Sequence, residues 1–234
     1  LLHRDQGETS ADRAHADVSA NLWGYFGRYV ESRRSNPQDD MISDLMSAEI
    51  DLPDGSKRRL ENVELLAFIG LLSGAGNETV ARFLGWTCTL LDRHPDQRAA
   101  LVAEPSLIPN AVEEILRYEA PSPVQGRRTT REIELHGSVI PKGGKVLLLT
   151  GSAGRDEREY PEADRFDVTR DFDRHVALGY GTHFCLGASL ARMEARIAIE
   201  ETLIRFPEWE VRWDETERVH TSTVRGYHRV PVRV

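Results

Sequence analysis

The chain has 234 residues, 40% of them hydrophobic, which is enough apolar material for one large domain with a real core. Its formal net charge of -8 argues against a nucleic-acid-binding surface, because such surfaces carry an excess of basic residues. No signal peptide is visible, and the longest uncharged run, residues 65–77, is too short and too glycine-rich to span a bilayer. With only two cysteines as well, these features predict a cytoplasmic protein without a membrane anchor.

The first half of the chain has the apolar spacing of helices. A long helix is predicted from Asn62, a residue type that caps helix N-termini, to Leu91, and His94-Pro95 ends it. Shorter helices are predicted at residues 21–32, 40–49, 96–103 and 109–118, with a turn at 52–56.

The second half begins with alternating apolar residues typical of strands. It predicts a small hairpin region at residues 132–150, an irregular segment at 157–174, a helix that Pro207 ends, and terminal strands at 209–213 and 230–234. The polar stretch of residues 1–19 is interpreted as a loop or a frayed helix start. The fold class predicted from this pattern is mainly α with a minor β region.

Residues 179–187, with the sequence Gly-Tyr-Gly-Thr-His-Phe-Cys-Leu-Gly, carry the most information. Cys185 stands between glycines at the start of a helical pattern, and His183 lies two residues before it. The positive end of a helix favours an ionised sulfur, and flanking glycines let the backbone approach a flat ligand. The window therefore predicts a buried thiolate ligand.

Three other interpretations of Cys185 compete with a ligand role. A lone buried cysteine is usually a small hydrophobic residue of the core. A zinc site would need more ligands than His183 and Cys185, and the chain has no Cys-x-x-Cys pair. A disulfide with Cys88 is disfavoured because a chain of this length with two cysteines and no secretory signal is expected to stay reduced.

The window resembles the cysteine loop of the cytochrome P-450 family, the haem-thiolate monooxygenases, in its soluble bacterial form. The resemblance can be followed in order from Asn21 to the C-terminus. It implies that residues 1–234 are the C-terminal part of a single domain of the P-450-type helical fold, without its usual N-terminal half. It also implies that Cys185 binds the iron of haem b, with Gly187 beside the cofactor. One departure is Leu178, where the family usually carries phenylalanine.

Residues 73–79 place small residues, a carboxylate and a hydroxyl in the middle of the long helix. From the residues alone, the glycines would allow a helix distortion or the close approach of a neighbouring element. Glu78 would be solvated, and the Thr79 hydroxyl would hydrogen-bond to the preceding helical turn. The resemblance matches this stretch to the family's acid–alcohol motif. It implies that Glu78 and Thr79 deliver protons during oxygen activation and that Ala75 and Gly76 line the oxygen groove.

Glu114 and Arg117 lie three residues apart on a predicted helix, opposite its apolar face. Helical periodicity alone predicts that they form a solvated ion pair, which contributes a few tenths of a kcal/mol to stability. The resemblance instead matches them to the family's buried Glu-x-x-Arg pair and implies Arg165 as the third member of a structural network.

Two further sets of residues follow from the resemblance. Arg127 and His183 are the implied partners of the haem propionates; the alternative for Arg127 is an ordinary loop arginine, and its register favours the propionate role. Residues 123–125 and 221–223 fall where the family lines its substrate pocket, although either could be a surface turn.

The function implied is a haem-dependent monooxygenase that inserts one atom of O2 into a small apolar substrate. Its electrons would come from NAD(P)H through a ferredoxin reductase and a ferredoxin. Two alternatives stay open: a peroxide-driven haem enzyme, and a haem-binding fragment without turnover.

Overall fold

The computed structural model describes residues 11–171, 173–221 and 223–234. Its helices are α1 Ala11–Ser35, α2 Met41–Ser47, α3 Asn62–Arg93, α4 Pro95–Ala103, α5 Ile108–Tyr118, α6 Thr150–Ala153 and α7 Ala188–Arg205. Its strands are β1 Glu49–Asp51, β2 Lys57–Arg59, β3 Gln125–Arg128, β4 Ile133–Leu135, β5 Ser138–Ile140, β6 Lys145–Leu148, β7 Glu210–Val211, β8 Glu217–Arg218, β9 Tyr227–Arg229 and β10 Val232–Arg233. The predicted fold class, mainly α with a minor β region, is confirmed.

Helix boundaries agree with the local signals in the sequence. The Asp40 side chain accepts the Ser43 N–H at 2.9 Å and so caps the start of α2. The long helix α3 begins at the predicted Asn62 and extends two residues past the predicted end, and Pro95 then opens α4. Helix α1 begins at Ala11, ten residues before the predicted start, because apolar spacing cannot reveal a polar helical stretch.

The strands pair antiparallel in two-stranded sheets. β1 and β2 flank the predicted turn, β4 pairs with β5 as the predicted hairpin, and the terminal strand β10 pairs with β7. The pairing of β3 with β6 places Arg127 opposite Val146 and was not predicted. Strand β3 has the sequence Gln-Gly-Arg-Arg, which lacks the apolar alternation that identifies a strand.

The described residues up to Asn77 and those from Glu78 onward form two compact units. The first has a small core around Val30, Leu65 and Ile69. The second has a larger core in which α3, α4, α5 and α7 contribute apolar side chains together with the segment around Phe166 and strands β7 and β9. The candidate cysteine and the Glu114–Arg117 pair both belong to the second unit.

Candidate functional site

Cys185 lies three residues ahead of α7, in a short loop whose backbone is tied back to the segment before it. The Cys185 N–H donates to the Leu178 carbonyl oxygen at 2.8 Å. The Ala188 N–H then donates to the Cys185 carbonyl at 3.2 Å, which leads the chain into the helix. Leu178, the position where the family usually carries phenylalanine, is half-buried against the core. The loop is thus anchored by the backbone on both sides of the sulfur.

Two glycines make this loop possible. Gly179 has a φ of +79°, and a Cβ there would lie 2.9 Å from the His183 carbonyl oxygen. Gly181 has a φ of +65°, in the left-handed region that side chains disfavour. Gly187 precedes the first residue of α7, and among the described atoms nothing lies within 4 Å of a Cβ built there.

The side chain of Cys185 is exposed, so the prediction of a buried sulfur is wrong for this structure. The apolar neighbours Phe184, Leu186 and Leu190 are also exposed, Leu186 to 71%. An exposed thiol surrounded by large exposed apolar side chains forms a surface suited to a flat apolar group.

Glu78 and Thr79 lie on α3, where both side chains are half-buried. Glu78 Oε1 stands 3.6 Å from Arg82 Nη2, and these two side chains are only 15% and 13% exposed. The interpretation of Glu78 as a solvated residue is therefore wrong. Arg82 also donates to the Tyr227 carbonyl oxygen, which attaches this part of α3 to β9.

Ala75 and Gly76 belong to the first unit and are exposed. Helix α3 runs without interruption from Asn62 to Arg93, through both glycines. No described atom lies within 4 Å of a Cβ built at Gly74 or Gly76. The roles of Ala75, Gly76, Glu78 and Thr79 in oxygen activation stay predictions.

Glu114 and Arg117 form the buried pair that the resemblance implies, and the solvated alternative is wrong. Arg117 Nε donates to Glu114 Oε2 at 2.6 Å and Nη2 donates to Oε1 at 2.8 Å. Arg117 also donates to the carbonyl oxygens of Gly154 and Ala163, at 2.5 and 2.9 Å. The arginine thereby joins α5 to the irregular segment, which has few backbone hydrogen bonds of its own.

The third side chain of this network is Arg170, and the prediction of Arg165 is wrong. Arg170 Nε lies 3.4 Å from Glu114 Oε1, and its side chain is 10% exposed. The Arg165 side chain is 59% exposed and pairs with Glu162, while its carbonyl oxygen accepts from Arg170 at 2.8 Å. Arg165 therefore contributes its backbone carbonyl to the network, and its side chain points to solvent.

The two predicted propionate partners lie on exposed loops and edges. Arg127, on β3, donates to the Gly126 carbonyl oxygen at 2.8 Å, and its side chain is exposed. His183 ends the short 3-10 turn before Cys185 and is also exposed. Their roles toward a propionate stay predictions.

Residues just before the first segment predicted to face the substrate are hydrogen-bonded to the second segment and to the residue that follows it by two positions. Ser122 Oγ donates to the Thr223 carbonyl oxygen at 3.2 Å, and the Arg225 N–H donates to the Pro121 carbonyl oxygen at 2.8 Å. Ser222, in the middle of the second segment, lies outside the described residues. The two segments thus form one neighbourhood, which sequence separation conceals.

Sequence reasoning missed a second carboxylate network on α5. Glu113 accepts from Arg192 on α7 and contacts His175 in the segment before the cysteine. The signal available was the doublet Glu113-Glu114: two adjacent carboxylates point to different faces of a helix, and each needs its own partner. Arg192 and His175 flank the cysteine window in the sequence and were the available candidates.

Among the helices of the described ranges, none has both the length and the apolar character that crossing a bilayer requires.

Comparison with known proteins identifies the family of the chain. The family profile described as Cytochrome P-450 matches residues 8–226. Cytochrome P-450 130 of Mycobacterium tuberculosis is 42% identical over 221 residues, which are 93% of this chain and 53% of that protein. The chain therefore spans about half the length of this curated relative.

Solved structures show the same relationship. The ligand-free structure of cytochrome P-450 TbtJ1 superposes with a TM-score of 0.90 at 36% identity, covering 97% of this chain and 59% of that one. The structure of CYP109E1 from Bacillus megaterium in complex with testosterone gives a TM-score of 0.86 at 32% identity, with coverages of 93% and 59%. From the profile, the relatives and the shared fold, the chain belongs to the cytochrome P-450 family.

Proposed function

We propose that this chain is the part of a haem-dependent monooxygenase that binds the haem iron through a cysteine thiolate, and that Cys185 is this ligand. The observation that supports this most strongly is the cysteine loop, in which backbone hydrogen bonds hold an exposed thiol among exposed apolar side chains just ahead of α7. Family membership implies a haem cofactor, and we propose haem b. When bound, a haem with a thiolate ligand supplies the activation of O2 for insertion of one oxygen atom.

The residues present fit such a cofactor. Cys185 offers the sulfur, and Phe184, Leu186 and Leu190 offer apolar surface. Among described atoms, a Cβ at Gly187 would have open space around it, so the backbone can be approached closely there. Arg127 and His183 carry the donors that propionates need, and we propose them as the propionate partners.

Proton delivery is proposed for Glu78 and Thr79. A half-buried carboxylate can accept and release a proton, and the neighbouring hydroxyl can pass it on as donor and acceptor. Arg82 holds the Glu78 carboxylate in place at 3.6 Å. Ala75 and Gly76 are proposed to leave room beside these groups because their side chains are small.

The substrate is proposed to be a small apolar organic molecule, which residues 123–125 and 221–223 contact. The hydrogen bond from Ser122 to Thr223 supports this, because it brings the two segments together. CYP109E1, which shares the fold, has been solved with testosterone, an apolar molecule of this class. Electrons are proposed to come from NAD(P)H through a ferredoxin reductase and a ferredoxin, in the cytoplasm, where the free thiols of Cys88 and Cys185 stay reduced.

The test is the absorption spectrum of the purified protein after haem loading, reduction and exposure to carbon monoxide. We expect the strongly red-shifted band of a thiolate complex in the unmodified protein and its loss in Cys185→Ala. Cys88→Ala is the matched control, because it removes the only other cysteine, and it should keep the band. A thiolate band that survives Cys185→Ala would overturn the assignment.

Turnover distinguishes the electron route. Product formed with O2, NAD(P)H, ferredoxin and ferredoxin reductase supports the monooxygenase. Product formed with peroxide alone, and none with O2 and the reducing proteins, would support the peroxide-driven alternative instead.

A further inference from the structure

The carboxylate of Glu113 binds two side chains that come from opposite sides of the cysteine. Arg192 Nε donates to Oε1 at 2.6 Å and Nη2 donates to Oε2 at 2.8 Å, in the paired geometry that gives the strongest ionic hydrogen bonds. His175 Nε2 lies 2.9 Å from Oε2. One carboxylate on α5 is thus shared between a helical residue of α7 and a loop residue.

The hydrogen-bond pattern around His175 fixes the position of its proton. The Ala177 N–H donates to His175 Nδ1 at 3.2 Å, so Nδ1 is the acceptor and Nε2 carries the hydrogen. The Nε2–H group therefore donates to Glu113. The His175 side chain is 3% exposed and the Glu113 side chain is 24% exposed, so the imidazole is buried against a partly exposed carboxylate.

The two partners of Glu113 lie on either side of Cys185 in the sequence. His175 stands ten residues before Cys185, and Arg192 stands seven residues after it. Between them, the backbone link that spans the most residues is the bond from the Cys185 N–H to the Leu178 carbonyl oxygen. The ends of the segment that carries the sulfur are consequently fastened to the same point on α5.

The charges agree with this arrangement. The hydrogen bonds to Glu113 raise the pKa of the Arg192 guanidinium against the effect of burial, and the negative charge of Glu113 adds to the increase.

We propose that Glu113 is a positioning residue for Cys185: through His175 and Arg192 it fixes both ends of residues 175–192 and so holds the sulfur in one position toward the haem iron. This rests on the proposed function of Cys185. A loop with both ends fixed loses much of its conformational freedom before it binds. Groups that orient a metal ligand in this way commonly change metal affinity about 10- to 100-fold, by general experience with metal sites.

The test compares Glu113→Gln with Glu200→Gln. The first substitution keeps the size of the side chain and removes its charge. Glu200 is the matched control because it forms a largely exposed pair with Arg196, at 3.1 Å, in which both residues belong to helix α7. Hydrogen exchange of the amides of residues 176–187 is measured in the protein without and with haem, alongside the amides of β4 and β5 as an internal reference.

We expect Glu113→Gln to exchange about tenfold faster or more at residues 176–187, with β4 and β5 unchanged. After haem loading, the fraction showing the thiolate band should fall, and the reduction potential of the remaining thiolate-bound iron should shift. Glu200→Gln should match the unmodified protein in all three measurements. A purely structural role would lower the loaded fraction without moving the potential.

Two further variants keep the proposal testable if Glu113→Gln does not fold. His175→Gln retains a donor of similar reach and should largely preserve slow exchange, whereas His175→Ala should not. Equal exchange in Glu113→Gln and the unmodified protein would overturn the proposal, as would faster exchange spread evenly over the whole second unit. If the unmodified protein shows no thiolate band, the function of Cys185 fails instead, and the exchange measurement still decides whether Glu113 orders the segment.

Discussion

Arg117 and Glu114 form a doubly hydrogen-bonded ion pair in which both side chains are completely buried. The Nη1 atom of Arg117 donates to two carbonyl oxygens, those of Gly154 and Ala163. A lysine cannot reproduce this planar fork, and it would leave Glu114 with an unfilled acceptor. The pair therefore supports the arrangement of the irregular segment more than it adds net stability.

Arg117→Lys is expected to lower the free energy of unfolding by about 1–3 kcal/mol, since the lysine keeps the charge but leaves buried hydrogen-bond acceptors unfilled. Urea unfolding followed by circular dichroism measures this. The exposed Arg165→Lys is the control and should stay within about 0.5 kcal/mol. Equal losses in the two variants would mean that the buried network does not carry the difference.

Gly154→Ala is expected to destabilise the second unit strongly. A Cβ at Gly154 would lie 2.2 Å from the Arg117 carbonyl oxygen, so the backbone of α5 or of this segment must move. Overpacking of this kind costs about 1–3 kcal/mol and sometimes more. Thermal unfolding measures the effect.

Gly126→Ala serves as the control for this substitution, because nothing among the described atoms lies within 4 Å of its Cβ position. Its unfolding temperature should change little. A tolerated Gly154→Ala would show that the segment can shift without breaking its bonds to Arg117.

Acid should weaken the fold partly through Glu113. Burial opposes ionisation of this carboxyl, but the hydrogen bonds from Arg192 and His175 lower its pKa from 4.5 to about 2. A depressed pKa stabilises the folded chain fully above about 4.5, and the contribution is lost as the pH falls towards 2. The shift corresponds to at most about 3 kcal/mol at neutral pH, because water screens part of the interaction at this partly exposed carboxylate.

Urea unfolding of the unmodified protein and Glu113→Gln between pH 7 and pH 2 measures this contribution. The difference in unfolding free energy between the two proteins should be largest above about pH 4.5 and shrink below it. A difference that stays constant across this range would contradict the assignment.

The two thiols should react differently. Burial raises the pKa of Cys88 to about 11, with the charge of Asp92 adding to it, so fewer than about one thiol in a thousand is ionised at about pH 7.5. Cys185 is exposed. Iodoacetamide followed by mass spectrometry should label Cys185 alone in protein free of haem, and haem loading should protect it. Labelling of Cys185 at the same rate with haem bound would contradict its role as the ligand.

Sequence patterns located most elements because their signals are local. The cap at Asp40, Pro95 at the opening of α4 and the apolar spacing of α5 each act within one or two turns of chain. Strand β3 was missed for the opposite reason: its stability comes from pairing with β6, about twenty residues away, and its own sequence carries no apolar alternation.

The candidate site was predicted unevenly. The Cys185 window and the Glu114–Arg117 pair are contiguous motifs, and the chain alone sufficed to single them out. That Arg170 and not Arg165 is the third side chain of the network could not be predicted, because both arginines stand in one irregular segment whose sequence does not show which side chain points inward. The hydrogen bonds of Glu113 with His175 and Arg192 could not be predicted either, because they join three segments that are distant in sequence.

The sequence by itself determined the family, the helical fold class and the cysteine proposed as the ligand, since these rest on short motifs and on apolar periodicity. Only the tertiary structure decided which charged side chains are buried together and which residues fasten the cysteine loop. The physical reason is that an ion pair between distant segments depends on how helices such as α5 and α7 pack, and packing is a property of many residues at once.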